Sequence, residues 1–234
     1  MDISSELRNG LLERGADLVG FGNLEDLPSG VRQGLPTGVA VAVGYPEDVI
    51  RGIGDLPTRE YYEQYHLLNE KLDSLVEWGE GFLREKGFAA VAQTTAYVRR
   101  FETDYGSLLP HKTVATHAGI GWIGKCALLV TEELGSMMRI SSLLTDASLR
   151  TSLPVTRSRC GDCTECTLAC PAGAVSGRLW EAGMKRESFF DADACRKTAR
   201  ERAMKGFGVD ITKCGKCIEV CPYTRRRLGE ETEM

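Results

Sequence analysis

Eight of the nine cysteines lie between Cys160 and Cys221, and their spacing is that of iron–sulfur ligands. A first run reads C-x2-C-x2-C-x3-C-P and begins at Cys160, and a second reads C-x2-C-x3-C-P and begins at Cys214. Each [4Fe-4S] cluster takes four thiolates, and in two-cluster ferredoxins the last cysteine of a run ligates the other cluster. The runs therefore predict two such clusters, and the ligands of the first are Cys160, Cys163, Cys166 and Cys221.

The two runs supply three ligands to the second cluster, which are Cys170, Cys214 and Cys217. Cys195 lies between the two runs and is the predicted fourth ligand. Cys126 is the competitor, but it follows a different motif, and an isolated cysteine is more often a small buried apolar residue. Zinc is the alternative metal, because zinc sites commonly pair two C-x2-C units. Zinc does not account for the x3-C-P endings, so the spacing favours iron–sulfur clusters.

A second motif precedes the cysteine runs, the glycine pattern G-x-G-x-x-G at Gly119, Gly121 and Gly124. A dinucleotide-binding turn needs a strand before these glycines and a helix after them. Here "HKTVATHAG" predicts a helix before them, and "CALLVT" predicts a strand after them. The sequence therefore disfavours a nicotinamide site and favours a loop whose backbone approaches a large flat ligand.

The elements that must position these motifs alternate between strands and helices over residues 1–148, which predicts an α/β domain. A long amphipathic helix is predicted from Thr58 to Lys86, with a shorter helix from Ser4 to Gly15. Further strands are predicted for the segments "DLVGFGN", "TGVAVAVGYP", "FAAVAQ" and "MMRISSLLT". Residues 149–234 are predicted to form a second domain, a ferredoxin-like module that holds the clusters.

The composition is that of an ordinary soluble globular protein of 234 residues with a net charge of −4. The sequence contains no apolar run long enough for a membrane span and begins with an acidic, polar segment, so we expect a cytoplasmic protein without a membrane partner. Basic residues exceed acidic ones between Arg150 and Arg227, which balances an anionic metal site. The overall acidic balance does not favour a nucleic-acid partner.

The segments "HKTVATHAGIGWIGKCALLV" and "GSMMRISSLLTD", together with the cysteine runs, resemble the catalytic part of the epoxyqueuosine reductases. The resemblance implies an α/β domain, similar in topology to flavin nitroreductases and reductive dehalogenases, that binds base-off cobalamin. Two [4Fe-4S] clusters then deliver electrons to the cobalt, and a flavin in the same pocket is the alternative. The residues that the resemblance places against the corrin are His117, Ala118, Gly119, Gly121, Trp122, Ile123, Gly124 and Lys125.

The chain also departs from this family at its catalytic acid. The family carries an Asp-Tyr-His triplet whose aspartate is thought to protonate the substrate, and here the triplet is Gln64, Tyr65 and His66. An amide cannot donate a proton as a carboxylic acid does, so Asp104 in "ETDYGSLLPHK" is a candidate replacement. His117 stands where the family has an arginine, and we expect no counterpart of the family's C-terminal repeat extension, which helps to hold tRNA.

These observations predict a cobalamin-dependent iron–sulfur reductase that acts on an unidentified small molecule or modified nucleoside. Its electrons are expected to come from an external one-electron donor such as ferredoxin or flavodoxin. Reduction of epoxyqueuosine in tRNA is the second hypothesis, disfavoured by Gln64 and His117, and the sequence predicts little of that activity. A non-enzymatic electron carrier or corrinoid-handling protein is the third.

Overall fold

The computed structural model describes residues 2–101 and 107–230. The described part of the chain forms a mixed α/β fold. Its strands are β1 (Leu18–Asn23), β2 (Thr37–Gly44), β3 (Ala90–Ala92), β4 (Trp122–Ile123), β5 (Leu129–Val130) and β6 (Met138–Thr145). Its α-helices are α1 (Ile3–Glu13), α2 (Glu47–Arg51), α3 (Arg59–Glu85), α4 (Thr95–Arg99), α5 (His111–His117), α6 (Glu165–Leu168), α7 (Ala192–Phe207), α8 (Lys216–Glu219) and α9 (Pro222–Arg227).

Four strands form the main sheet in the order β1-β2-β6-β3. β1 pairs with β2 in antiparallel register, with Leu18 opposite Ala42, and β3 pairs with β6 in the same sense, with Ala90 opposite Thr145. The first seven residues of β2 are all buried, as expected for a central strand covered on both faces. The four strands predicted for this sheet are therefore confirmed.

Close packing of α1 and α3 fixes the helical layer beside this sheet. A Cβ at Gly10 of α1 would overlap the indole of Trp78, and a Cβ at Gly79 would lie 2.6 Å from Leu143 Cδ2 of β6. Both glycines therefore allow an approach that any side chain would prevent. α1 begins at an N-cap, because the Asp2 carboxylate accepts hydrogen bonds from the backbone nitrogens of Ser4 and Ser5.

The glycine motif lies between a helix and a strand, in the order that the sequence predicts. α5 ends at His117, and β4 and β5 then form a short antiparallel pair, with Trp122 opposite Val130. Because the glycines are not followed by a helix N-terminus, the arrangement lacks the phosphate-binding end that a dinucleotide fingerprint requires. The predicted order of helix, glycine loop and strand is therefore confirmed.

The structure divides into two compact units, and each unit collects separate segments of the chain. The first unit comprises Met1–Val43, Leu68–Gly121 and Arg139–Val155. The second comprises Gly44–Leu67, Trp122–Met138 and Thr156–Met234, so two segments that precede residue 149 group with the cysteine runs. The predicted domains 1–148 and 149–234 stay a prediction. Among the described residues, we find no helix with the length and apolar character needed to cross a bilayer.

Candidate functional site

The eight cysteines of the predicted cluster sites lie on short helices and the turns between them, all in the second unit. α6 lies between Cys163 and Cys170, and α8 lies between Cys214 and Cys221. Cys195 lies in the first turn of α7, which begins at Asp191, where the carboxylate accepts from the backbone nitrogen of Ala194. All eight thiols are free and partly buried. The helices therefore present the sulfurs from several short segments rather than from one continuous surface.

The first predicted ligand set contains thiols that are electrostatic neighbours. Burial raises the pKa of the Cys163 thiol, and the neighbouring Cys166 and Cys160 thiols add to the increase. Burial also raises the pKa of Cys221, and Cys160 again contributes. Electrostatic interactions therefore link the four cysteines that the ferredoxin rule assigns to the first cluster.

The second predicted set shows the same relation around Cys195. Burial raises the pKa of the Cys195 thiol to about 11, and the nearby Cys170 and Cys214 thiols contribute in that order. This neighbourhood is the one that a fourth ligand of the second cluster needs. Cys126 does not share it, because the thiols that act on Cys126 are those of Cys166 and Cys217.

The described residues form no single-ion site of the kind that zinc needs. Within residues 2–101 and 107–230, no three His, Cys, Asp or Glu side chains are placed to ligate one metal ion. A zinc site needs four ligands around a single atom. The thiolates of a cubane bind four different irons, so they lie further apart than the ligands of a single ion.

Residues Gly124, Lys125 and Cys126 lie against the cysteine runs. Lys125 is only 5% exposed, and its Nζ donates a hydrogen bond of 2.7 Å to the Cys163 carbonyl. A Cβ at Gly124 would lie 2.9 Å from Val130 Cγ2 and 3.6 Å from the sulfurs of both Cys126 and Cys160. Sequence reasoning assigned Gly124 and Lys125 to a corrin pocket and missed these contacts with cluster cysteines. The one available signal was the direct adjacency of Lys125 to a cysteine.

Within the glycine motif, Trp122 is the first residue that belongs to the second unit, and its indole is buried. Its ring meets Tyr223 edge-on with 4.9 Å between the ring centroids, and the Arg159 guanidinium carbon lies 5.5 Å from the ring centroid. Arg159 and Tyr223 flank the predicted ligands Cys160 and Cys221. The indole Nε1 is buried, and no hydrogen-bond acceptor reaches it from the described residues.

The other predicted corrin residues belong to the first unit and pack against its backbone. The His117 ring lies 2.7 Å from the Thr113 carbonyl through Nδ1 and 3.2 Å from an Asp26 carboxylate oxygen through Nε2. Gly119 has a φ of +71°, and a Cβ there would lie 2.8 Å from the Leu153 carbonyl oxygen. Ala118 is buried. The structure thus places His117, Ala118, Gly119 and Gly121 in the first unit and Trp122, Ile123, Gly124 and Lys125 in the second.

The predicted catalytic triplet lies in the first half of α3, in the second unit. Gln64 and Tyr65 are partly buried and His66 is exposed. The His66 ring contacts Tyr65 edge-on at 5.1 Å between ring centroids, and the Lys213 Nζ lies 3.4 Å from the Tyr65 ring centroid. Lys213 directly precedes Cys214, so Tyr65 lies beside the second cysteine run. Asp104, the candidate replacement acid, lies outside the described residues.

His111 lies in a partly buried polar network of the first unit, together with Ser142 and Gln93. Its Nδ1 lies 2.8 Å from Ser142 Oγ, which in turn donates a hydrogen bond of 2.5 Å to Gln93 Oε1. Burial lowers the pKa of His111 to about 4, and the charge of Arg139 contributes.

We therefore expect His111 to stay neutral between pH 6.5 and about 4 in the folded protein, whereas the unfolded chain gains a proton there. The stability contributed by neutral His111 is present above pH 6.5 and is lost as the pH falls toward 4. A ring-proton NMR titration of the three histidines checks this, with His111→Gln to assign the signal. A His111 signal that titrates near pH 6.5 contradicts the prediction.

Comparison with known proteins supports a double-cluster domain and the fold. Residues 159–224 match the family described as a 4Fe-4S double cluster binding domain. The epoxyqueuosine reductase of Prochlorococcus marinus (strain NATL2A) is 26% identical over 204 residues, which cover 86% of this chain and 61% of that protein. The resemblance to epoxyqueuosine reductases is therefore confirmed over most of the chain, and this chain spans about three fifths of that relative.

Two solved structures share the fold. An epoxyqueuosine reductase crystallised with an epoxyqueuosine-modified tRNA-Tyr stem loop has a TM-score of 0.60 at 22% identity, over 98% of this chain and 66% of that one. A reductive dehalogenase whose structure suggests a mechanism for B12-dependent dehalogenation has a TM-score of 0.68 at 18% identity, over 90% of this chain and 30% of that one. The predicted α/β fold with a C-terminal double-cluster domain is confirmed.

Proposed function

We propose that this chain is the electron-transferring and catalytic part of an iron–sulfur reductase that reduces epoxyqueuosine in tRNA. The observation that carries the proposal is the double-cluster domain at residues 159–224, in a chain that resembles epoxyqueuosine reductases along 86% of its length. The sequence alone favours a different substrate because of Gln64. The relatives favour epoxyqueuosine, and we follow them.

The proposed reaction removes the epoxide oxygen and leaves a carbon–carbon double bond. Two C–O bonds break, two electrons and two protons are consumed, and one water molecule is released. An external one-electron donor such as ferredoxin or flavodoxin supplies the electrons. Two [4Fe-4S] clusters, which each carry one electron, together hold the pair that a turnover needs.

Tyr65 and His66 are the residues that we propose to supply protons. Both side chains can donate a proton, whereas the Gln64 amide cannot act as an acid. Their rings are in edge-to-face contact, and His66 is exposed to solvent, from which it can be reprotonated. Asp104 stays a further candidate for the same role.

Replacing these proton donors gives a direct prediction. General acid catalysis commonly contributes ~10²–10⁴-fold in rate, so loss of the operating donor is expected to slow product formation by roughly that factor. We expect this for Tyr65→Phe or His66→Gln, with cluster content unchanged. Single-turnover rates over a range of pH separate a lost acid from a structural defect, because only a lost acid removes the pH dependence.

Cobalamin remains part of the proposal, supported by the fold shared with the B12-dependent dehalogenase. When bound, it supplies a redox-active cobalt near the substrate. The predicted contacts of Gly119 and Gly124 with a corrin stay a prediction. A Cβ at either position would meet this chain's own Leu153 or Val130 atoms, so packing alone already accounts for glycine at both.

The test is a reduced, cluster-loaded single turnover with and without cobalamin, in which modified nucleosides are quantified by mass spectrometry. Formation of queuosine from epoxyqueuosine-containing tRNA is the expected result. Consumption of donor electrons without queuosine, in protein that holds both clusters, contradicts the proposal.

A reductase for another substrate is the second candidate, favoured by Gln64 at the position of the family's acid. If this candidate is correct, wild-type protein forms no queuosine, and Gln64→Asp restores some. If epoxyqueuosine is the natural substrate, Gln64→Asp adds little, because other groups already supply the protons.

A further inference from the structure

A lysine ammonium is buried beside the first predicted ligand set without a carboxylate partner. Lys125 takes part in none of the ion pairs formed by the described residues, and its Nζ donates to the backbone of Cys163. A buried ammonium is costly unless an opposite charge compensates it. Its charge acts on the Cys166 thiol, which is a predicted ligand. A thiolate-ligated cluster supplies the missing negative charge.

A ninth thiol lies between the two predicted ligand sets. Cys126 is 5% exposed, its sulfur and that of Cys160 both lie 3.6 Å from the Cβ position of Gly124, and its thiol also interacts with Cys166 of the first set and Cys217 of the second. It is not needed as a ligand, because the other eight cysteines already complete two sets of four. A thiol that keeps its proton can donate a hydrogen bond to a ligating thiolate.

The indole of Trp122 provides a third, independent observation in the same segment. Its Nε1–H is buried without an acceptor among the described residues, and an unsatisfied buried donor costs about 1–3 kcal/mol. Trp122 contacts Arg159 and Tyr223, which flank Cys160 and Cys221. Sulfur atoms of a cluster held by these cysteines are acceptors that the protein alone lacks.

We propose that the segment Trp122–Cys126 is the outer shell of the two clusters, in which Lys125 is the counter-ion of the first cluster and Cys126 is a hydrogen-bond donor shared by both. Reduction adds negative charge to a cluster, so a nearby cation or donor stabilises the reduced form. Lys125 therefore raises the reduction potential of the first cluster, and Cys126 raises both. The proposal rests on the cluster binding in the proposed function, and not on the substrate.

The experiment is an anaerobic redox titration followed by electron paramagnetic resonance, on protein whose iron content has been measured. For Lys125→Met we expect the equilibrium constant for reduction of one cluster to fall about tenfold, which lowers its reduction potential by about 59 mV for a one-electron couple. For Cys126→Ala we expect a smaller decrease at both clusters. Cys126→Ser, whose hydroxyl also donates, is expected to restore most of the wild-type potential, and all three variants keep their iron.

Lys205→Met is the matched control, because it removes an exposed lysine of the same unit and is expected to leave both potentials unchanged. Unchanged potentials in Lys125→Met and Cys126→Ala overturn the proposal, as does loss of iron from Cys126→Ala, which makes Cys126 a ligand. Wild-type protein that binds no iron defeats both this proposal and the proposed function. If the variants show the expected shifts in reduction potential but the wild-type protein forms no queuosine, this proposal is supported and only the substrate assignment is wrong.

Discussion

Replacement of Cys195 by alanine is expected to remove one of two clusters and to lower the iron content from about eight to about four atoms per chain. Cys195 lies in the first turn of α7, where its thiol has Cys170 and Cys214 as neighbours. Loss of one thiolate from a four-cysteine site leaves an iron without its protein ligand. Iron and sulfide analysis of anaerobically purified protein measures the effect, and electron paramagnetic resonance shows which cluster remains.

Cys126→Ala is the matched control for this prediction, because it removes a buried thiol that contacts Cys166 and Cys217 without serving as a predicted ligand. We expect it to keep both clusters. The opposite pattern, with full iron in Cys195→Ala and half in Cys126→Ala, would show that the two cysteines have exchanged roles.

The second large effect is expected at Gly135. Its φ is +56°, a conformation that L residues adopt at a cost, and a Cβ there would overlap the backbone nitrogen of Thr224. Backbone atoms cannot yield as a flexible side chain can. The same contact includes a hydrogen bond of 3.1 Å from the Ser136 nitrogen to Thr224 Oγ1, three residues after Cys221.

Gly135→Ala is therefore expected to destabilise the protein by roughly 2–5 kcal/mol, the sum of a backbone cost of about 1–2 and an overpacking cost of about 1–3 kcal/mol. Gly173→Ala isolates the first of these, because Gly173 has a φ of +59° with open space around its Cβ position, and about 1–2 kcal/mol is expected there. Chemical denaturation of the cluster-loaded proteins gives the comparison. Equal destabilisation by the two substitutions would contradict the proposed overlap with Thr224.

The fold was predictable where hydrophobic periodicity is long and uninterrupted. The pattern from Thr58 to Lys86 became α3, Arg59–Glu85, and the strand segments of the main sheet lie where the sequence places them. Of the strand predicted for "CALLVT", only Leu129–Val130 is a strand in the structure. Ala127 has a φ of +59°, and its nitrogen donates a hydrogen bond to the Gly124 carbonyl in a turn, so the strand begins later than predicted. Residue patterns of this length do not reveal such a turn.

The short helices among the cysteines were missed for a different reason. α6 and α8 contain only four residues each, and in both a predicted cluster ligand occupies one of those four positions, so too few residues remain to show a helical apolar pattern. Metal ligation, rather than an apolar face, is expected to stabilise elements this short. Their existence follows from the ligand spacing and not from propensity.

Sequence reasoning identified the chemistry of the glycine motif less well than that of the cysteines. The cysteine runs carry their ligand rule in their spacing, whereas G-x-G-W-I-G-K was assigned as a whole to one flat ligand. In the structure the motif is divided, since Trp122 pairs with Val130 and groups with the cysteine runs. The pairing of a two-residue strand depends on tertiary context, and so does the contact of Lys125 with Cys163.

We propose that electrons stored in the two clusters reduce epoxyqueuosine, and stopped-flow spectroscopy follows that transfer as it occurs. Protein with both clusters reduced anaerobically, in the presence of cobalamin, is mixed with an epoxyqueuosine-containing tRNA stem loop, and queuosine-containing stem loop is the control. We expect the cluster absorbance to return to the oxidised form only with the epoxide, with about one queuosine formed for every two electrons lost. Clusters that stay reduced with both stem loops, and a stem loop recovered with its epoxide intact, would contradict it.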